Sequence, residues 1–232
     1  MDLNRPQIDV GLFTNRIDEM KAFYGENLGL QFESVMPVGG GFKQHRYIAN
    51  GSIIKLMESR ELLPRRRPGG YETLVIATDR VEQPEAINDP DGNTLELVPY
   101  GHPGITQQIG VRLGVSDVNL FDDFYAKALE AKPLGNHRYQ VGETIFATFR
   151  HPLARALKPA PLTNLLDVVK GMAALGMRYV TIQVKNCDAA FKSTTAAGAT
   201  VGVAPETFNN VARVAFVRDP DGNYVELAQR PV

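Results

Sequence analysis

Two glutamates occupy the same position in a motif that occurs twice in the chain. The motif reads NDPDGNTLELVPY over 88–100 and RDPDGNYVELAQR over 218–230, which places Glu96 and Glu226 in equivalent positions. In each copy the Asp-Pro-Asp-Gly segment predicts a tight turn that leads into a strand, whose side chains alternate between two faces. Because burying an unpaired charge is costly, each carboxylate should face a cavity, a partner or solvent. A carboxylate in a cavity can act as a general base or bind a metal ion.

The histidines offer a second kind of acid–base chemistry. The chain has four, and His45 and His137 share a His-Arg-Tyr context in two matching predicted hairpins. Equivalent positions in a repeated hairpin favour a role in the fold. The near-neutral pKa of histidine keeps a general-base role open, and we retain His45 as a candidate catalytic residue.

Composition limits the class of protein. Of the 232 residues 44% are hydrophobic, and the formal net charge is −1, so no general electrostatic attraction to nucleic acid or to an anionic membrane is expected. The single cysteine, Cys187, excludes an intramolecular disulfide and favours a reducing compartment. Neither a signal-peptide pattern nor a membrane-spanning apolar run is found. We therefore expect a cytoplasmic protein.

The chain repeats beyond the two glutamate motifs. Alternating strands are predicted at residues 8–13, 71–77, 109–115 and 177–184. Amphipathic helices with a Phe-Tyr pair follow the first and third strands, at Phe23-Tyr24 and Phe124-Tyr125. The second strand is followed by a short segment containing Pro84, which leaves no room for a helix. We predict four modules of strand, helix and further strands, one of which has lost its helix.

These features resemble the vicinal oxygen chelate superfamily, which includes glyoxalase I, bleomycin-resistance proteins and extradiol dioxygenases. The resemblance is carried by Phe23-Tyr24, by Asn27-Leu28-Gly29-Leu30, and by the strands DPDGNTLEL and DPDGNYVEL. It implies an α+β fold of four βαβββ-type modules, one degenerate, that form two curved-sheet, glyoxalase-like domains. A homodimer is a further expectation.

The resemblance also predicts where the domains lie. The N-terminal domain is expected over 1–101, with modules 8–58 and 70–100, and the C-terminal domain over 105–232, with modules 107–150 and 176–230. The predicted boundary is the linker Tyr100-Gly101-His102-Pro103-Gly104. The pairing of modules stays open, since adjacent modules could form each cup or the first could pair with the last.

In metal-dependent members the ligands come from the first and last strands of each module, usually as histidine and glutamate. In the N-terminal half the resemblance places Asp9, Lys55, Glu72 and Glu96 at those positions. The three carboxylates would suit a divalent ion such as Mn²⁺, Mg²⁺ or Fe²⁺, whereas the Lys55 ammonium would compete with it. Three alternatives remain: a salt-bridged cluster, a metal site, or a metal-free site in which Glu96 removes a proton beside a carbonyl and Lys55 stabilises the oxyanion.

In the C-terminal half the same positions hold Gly110, Ala147, Tyr179 and Glu226, which are too poor in ligands for a metal ion. We expect an organic ligand to be bound there instead. The candidate binding residues are Arg112, Tyr179, Gln183, Tyr224 and Glu226, together with Phe13 on the strand face of Asp9. Glu226 is expected to pair with Arg112. The alternative is that these side chains fill a small interior without binding anything.

Two functions follow from the resemblance. The first is an enzyme, of lyase, isomerase or dioxygenase type, that acts on a small carbonyl, enol or aromatic metabolite. The second is a metal-free protein that binds or sequesters a small molecule, as antibiotic-resistance members do. The missing histidines disfavour extradiol ring cleavage and glyoxalase I activity in particular.

Overall fold

The computed structural model describes residues 1–102 and 109–230, and its strands form two sheets. In chain order the strands are β1 (Asp9–Thr14), β2 (Gln31–Gly39), β3 (Phe42–Ala49), β4 (Ser52–Ser59), β5 (Gly70–Thr78), β6 (Glu85–Asn88), β7 (Thr94–Pro99), β8 (Ile109–Val115), β9 (Lys132–Gly135), β10 (Arg138–Val141), β11 (Thr144–Arg150), β12 (Gly176–Gln183), β13 (Thr200–Phe208), β14 (Ala212–Arg218) and β15 (Tyr224–Gln229). Sheet A has eight strands in the order β13-β14-β15-β12-β1-β4-β3-β2. Sheet B has seven in the order β6-β7-β5-β8-β11-β10-β9.

Short helices connect the strands. They are α1 (Ile17–Lys21), α2 (Val118–Asp123), α3 (Leu165–Met172) and α4 (Cys187–Ala196), with π-helical turns that extend α1 over Ala22–Asn27 and α2 over Phe124–Ala128. No helix connects β5, β6 and β7, so the module predicted to lack a helix does lack one. Among the described residues, no helix combines the length and hydrophobicity needed to cross a bilayer.

Sheet A joins the first module to the last, and sheet B joins the two middle modules. The joining pairs are antiparallel, between β1 and β12 in sheet A and between β5 and β8 in sheet B. Of the two pairings that the sequence left open, the first-with-last arrangement is therefore the one formed. Each of the segments 1–101 and 105–232 gives one module to each sheet, so the boundary expected at 100–104 does not separate the sheets. Residues 103 and 104 of that linker lie outside the described residues.

Alternation along the strands divides each sheet into an apolar face and a second, more polar face. Ile8, which precedes β1, and Val10 and Leu12 within it belong to a buried core that also contains apolar side chains of sheet B and of the helices. Asp9 and Phe13 lie on the other face, as the sequence predicts. The four modules and two curved sheets confirm the predicted α+β fold.

The repeated Asp-Pro-Asp-Gly turns are built as their residue types suggest. In the second copy Asp219 Oδ1 accepts hydrogen bonds from the backbone N–H groups of Asp221, at 3.0 Å, and Asn223, at 2.9 Å. Gly222 has φ of 83°, which is unfavourable for residues with a side chain. Asp89 and Gly92 repeat this geometry in the first copy. The motif is therefore explained by turn formation, apart from its glutamate.

Gly11 permits a close approach between β1 and β12. It is paired with Tyr179, and a Cβ atom at residue 11 would overlap the tyrosine ring. Because Tyr179 is only 3% exposed, its ring has little room to move. We expect Gly11→Ala to lower the free energy of unfolding by about 1–3 kcal/mol, as overpacking does in other cores. Urea denaturation measures this change.

A double-mutant cycle separates this clash from other effects of the substitution. With Tyr179→Leu the ring is absent, so Gly11→Ala should cost much less in that background. An equal cost in both backgrounds would show that the tyrosine is not the cause.

Candidate functional site

A cavity of about 320 Å³ lies on the face of sheet A that is opposite the common core. Lys55, Tyr179, Gln183 and Glu226, from β4, β12 and β15, contribute polar groups to its lining. Helix α3 covers one side with Leu165, Leu166, Val169 and Met172. The cavity therefore has an apolar wall opposite a cluster of charged and polar side chains.

Lys55 lies at the centre of the charged cluster. Its Nζ donates hydrogen bonds to Thr181 Oγ1 at 2.6 Å and to Glu226 Oε2 at 2.9 Å, and it lies 3.8 Å from Asp9 Oδ2. The Thr181 hydroxyl donates to the same Glu226 oxygen. The lysine side chain is only 5% exposed. The ammonium is therefore held between two carboxylates.

Asp9 is fully buried and has its oxygens committed to protein donors. Oδ1 accepts from the Arg5 guanidinium and, at 2.9 Å, from the backbone N–H of Ile53. Oδ2 accepts from Gln183 Nε2 at 3.2 Å. These bonds hold Asp9 in place, so it serves as a fixed counter-charge for Lys55.

Tyr179 and Gln44 extend the polar cluster. Gln44 Nε2 donates to the Tyr179 hydroxyl at 3.3 Å, and Arg46 Nη1 donates to Gln44 Oε1 at 2.9 Å. Burial, followed by the negative charges of Glu226 and Asp9, raises the pKa of Tyr179 well above its ordinary value. Tyr179 is therefore a neutral phenol at physiological pH.

Several residues predicted from the sequence come together here. Lys55, Tyr179, Gln183 and Glu226 line the cavity. Phe13 and Tyr224 belong to the apolar cluster beside it, with Met57, Met172 and Phe216 among its other members.

Other predicted residues lie elsewhere. Glu72, Glu96 and Arg112 are in sheet B, and Arg112 forms its ion pair with Glu96 instead of Glu226. The predicted set of Asp9, Glu72 and Glu96 does not converge, because the first module pairs with the last and leaves Asp9 in the other sheet. Lys55 accordingly forms its ion pair with Glu226 and not with Glu96.

His45 lies outside the cavity. It is next to Arg46 in β3, and consecutive side chains of a strand point to opposite faces of the sheet. Because Arg46 lines the cavity, His45 lies on the other face of sheet A. There its Nε2 is 2.9 Å from Glu58 Oε2. A direct catalytic role in this cavity is therefore not supported by the geometry.

A divalent metal ion does not fit the residues of the cavity. Pairing of the first and last modules brings together Asp9, Lys55, Tyr179 and Glu226, which are the positions where the family resemblance leads us to expect metal ligands. A cation between the two carboxylates would meet the Lys55 ammonium and compete for the same oxygens. Across 1–102 and 109–230, no group of three or more His, Cys, Asp or Glu side chains could hold a metal ion.

Sequence reasoning missed part of the lining. Arg46, Arg230 and helix α3 were not predicted as site elements. For Arg46 a signal existed: Arg46 lies directly opposite Lys55 in the β3–β4 pair, and strand alternation puts Arg46 and Gln44 on one face.

Comparisons with known proteins agree with this architecture. The family model of the Glyoxalase/Bleomycin resistance protein/Dioxygenase superfamily matches residues 107–227. Glyoxalase I from Zea mays superposes with a TM-score of 0.71 at 16% identity, covering 96% of this chain and 92% of that chain. The cppA protein from Streptococcus pneumoniae gives 0.55 at 12% identity and covers 100% of both chains. These identities support a shared fold alone, and no curated protein matches the sequence.

Proposed function

This chain belongs to the Glyoxalase/Bleomycin resistance protein/Dioxygenase superfamily, and we propose that it binds a small carbonyl compound in the cavity of sheet A and enolises it without a metal ion. The observation that carries the proposal is the position of Lys55. Its ammonium is held between Asp9 and Glu226 on the polar side of an otherwise apolar cavity. A fixed positive charge there can stabilise a developing oxyanion.

Glu226 is the candidate base. Its Oε2 accepts hydrogen bonds from Lys55 and Thr181, whereas Oε1 has no hydrogen-bond partner within the described parts of the chain. Oε1 is therefore free to take a proton from the carbon next to a carbonyl group. Lys55 would donate a hydrogen bond to the enolate oxygen. The proton then returns from Glu226 to the same carbon, so no oxidant or reductant is needed.

The apolar wall supports both binding and catalysis. Val169 and Met172 of α3 face Val214 and Phe216 of sheet A around the cavity. They offer contact area for a hydrocarbon group and limit the access of water. Excluding water strengthens the electrostatic effect of Lys55 on a bound carbonyl oxygen.

A binding protein without catalytic activity is the second candidate. Lys55 already donates to Glu226 and Thr181, and Asp9 is saturated by Arg5, Gln183 and Ile53. Such a satisfied cluster could maintain the shape of the pocket and take no part in chemistry.

Proton exchange separates the two candidates. Chelator-treated protein in D₂O is incubated with 4-phenyl-2-butanone or 2-oxo-4-phenylbutanoate, and exchange beside the carbonyl is followed by ¹H NMR. We expect catalysed exchange that falls about 100-fold in Glu226→Gln, since general bases contribute effects of that order. His45→Ala, on the opposite face, should retain the native rate.

Exchange that requires added metal, or that is unaffected by Glu226→Gln, would contradict the proposed mechanism. Saturable ligand binding with no exchange above the uncatalysed rate would favour the binding protein.

A further inference from the structure

Gln183 lines the cavity and has an unused hydrogen-bond acceptor. Its Nε2 donates to Asp9 Oδ2 at 3.2 Å, which fixes the orientation of the amide. Its Oε1 is buried and has no hydrogen-bond partner among the described residues, and the residue is only 3% exposed. An unsatisfied buried acceptor destabilises the folded protein, because it has lost its hydrogen bonds to water. A ligand hydroxyl group that donates to Oε1 would recover this energy.

Arg230 presents an unused positive charge in the same cavity. It follows β15, is partly buried and contributes to the lining. Within the part of the chain that the structure describes, its guanidinium forms no hydrogen bond or ion pair. By contrast, Arg46 has both an ion pair with Glu33 and a hydrogen bond to Gln44. Arg230 is therefore available for an anionic ligand group.

The electrostatic environment of Arg230 agrees with this role. Burial, and then the positive charge of Arg46, lower its pKa. The carboxylates of Asp9, Glu33 and Glu226 act in the opposite direction but do not outweigh those effects. A bound carboxylate would offset the cost of burying the guanidinium and could pair with it in a bidentate manner.

We propose that the ligand is a carboxylic acid with a neighbouring hydroxyl or enol group and an apolar body. Arg230 would bind the carboxylate, Gln183 Oε1 would accept a hydrogen bond from the hydroxyl, and the wall from α3 would hold the apolar body. This inference rests on the proposed function, because it names the ligand class of the same cavity. The enol of a 2-oxo acid, which Glu226 would form, carries both polar groups.

The size of the cavity restricts the apolar body. About 320 Å³ is at the lower end of the range of about 300–1,000 Å³ for small-molecule pockets. Val38, Met172 and Phe216 are among the side chains that such a body would contact. A single aromatic ring on a short chain matches this volume and lining.

Isothermal titration calorimetry with three related probes tests the proposal. The probes are 2-hydroxy-4-phenylbutanoate, 4-phenylbutanoate, which lacks the hydroxyl, and 4-phenyl-2-butanol, which lacks the carboxylate. We expect the hydroxy acid to bind about 3–10-fold tighter than 4-phenylbutanoate, because it adds one neutral hydrogen bond. It should bind about 10–100-fold tighter than the alcohol, because it adds a hydrogen bond between charged groups.

Arg230→Gln should weaken binding of the hydroxy acid at least about tenfold and leave the alcohol unaffected. Arg150→Gln removes the same charge from an exposed position in sheet B and should have little effect. Equal binding of acid and alcohol by the native protein would overturn this inference and leave the proposed function standing. The same conclusion would follow if Arg230→Gln and Arg150→Gln weakened binding of the hydroxy acid equally. Failure to bind any probe, together with absent proton exchange, would overturn both proposals.

Discussion

Replacing Lys55 by methionine should lower the free energy of unfolding by about 3 kcal/mol, as removal of one partner from a buried ion pair does. The Lys55 side chain is 5% exposed, and those of Asp9 and Glu226 are 0% and 15% exposed. Without the ammonium, the two carboxylates would repel each other in a poorly solvated site. Chemical denaturation at neutral pH measures the loss, and the proton-exchange activity should disappear with it.

Two control variants test whether the uncompensated carboxylates cause the loss of stability in Lys55→Met. Lys43→Met removes a lysine whose side chain is 50% exposed and which lies 3.7 Å from Glu58, so it should cost less than about 1 kcal/mol. The double variant Lys55→Met/Glu226→Gln should regain part of the lost stability, because one of the two carboxylates is neutralised. Native stability in Lys55→Met would mean that the ion cluster contributes nothing to the fold.

Replacing Lys55 by histidine should create a metal site where the native protein has an ammonium. Asp9, the introduced histidine and Glu226 would supply two carboxylates and an imidazole from β1, β4 and β15 of sheet A. This donor set suits Zn²⁺, Mn²⁺ and Fe²⁺. We expect affinity for Zn²⁺ to rise at least about 1,000-fold, from a Kd weaker than about 1 mM to about 1 μM, which corresponds to about 4 kcal/mol.

Calorimetric titration with Zn²⁺ and Mn²⁺ measures this gain. Lys132→His places an imidazole at an exposed position of β9 in sheet B and should not bind metal tightly. Adding Glu226→Gln to Lys55→His should weaken the new site. Unchanged metal affinity in Lys55→His would show that the two carboxylates cannot reach a common ion.

Strand alternation made much of the site predictable. Val180 and Ile182 predict one apolar face of β12, which leaves Tyr179 and Gln183 on the other face, and both do line the cavity. The period of two is a local property of an extended chain, so it can be read without knowledge of the partner strands. The same reasoning correctly places Glu226 opposite the core.

The partners of these residues were not predictable by the same means. Glu96 and Glu226 have equivalent local sequences, and only the long-range pairing of β1 with β12 determines which of them meets Lys55. A β-bulge between Tyr71 and Thr73 in β5 also shifts the register near Glu72. Such features depend on contacts between distant segments, which local patterns do not encode.

Helix α3 shows a second reason why part of the site could not be predicted from the sequence. A Pro-rich segment over 151–161 precedes it, and no site residue was predicted in this part of the chain. In the structure α3 packs over the cavity and supplies most of one wall through Leu165, Val169 and Met172. Its apolar positions recur at helical spacing, but the face of the sheet on which it lies depends on the whole fold.

We propose that the Lys55 ammonium takes the place of a metal ion in a ligand-binding cavity. The most direct measurement is titration of the chelator-treated native protein with Mn²⁺ and Zn²⁺, followed by binding of 2-oxo-4-phenylbutanoate with and without each ion. We predict no stoichiometric metal binding tighter than about 1 mM, and ligand binding that is the same in all conditions. One tightly bound ion per chain, lost in Glu226→Gln and required for ligand binding, would contradict the claim.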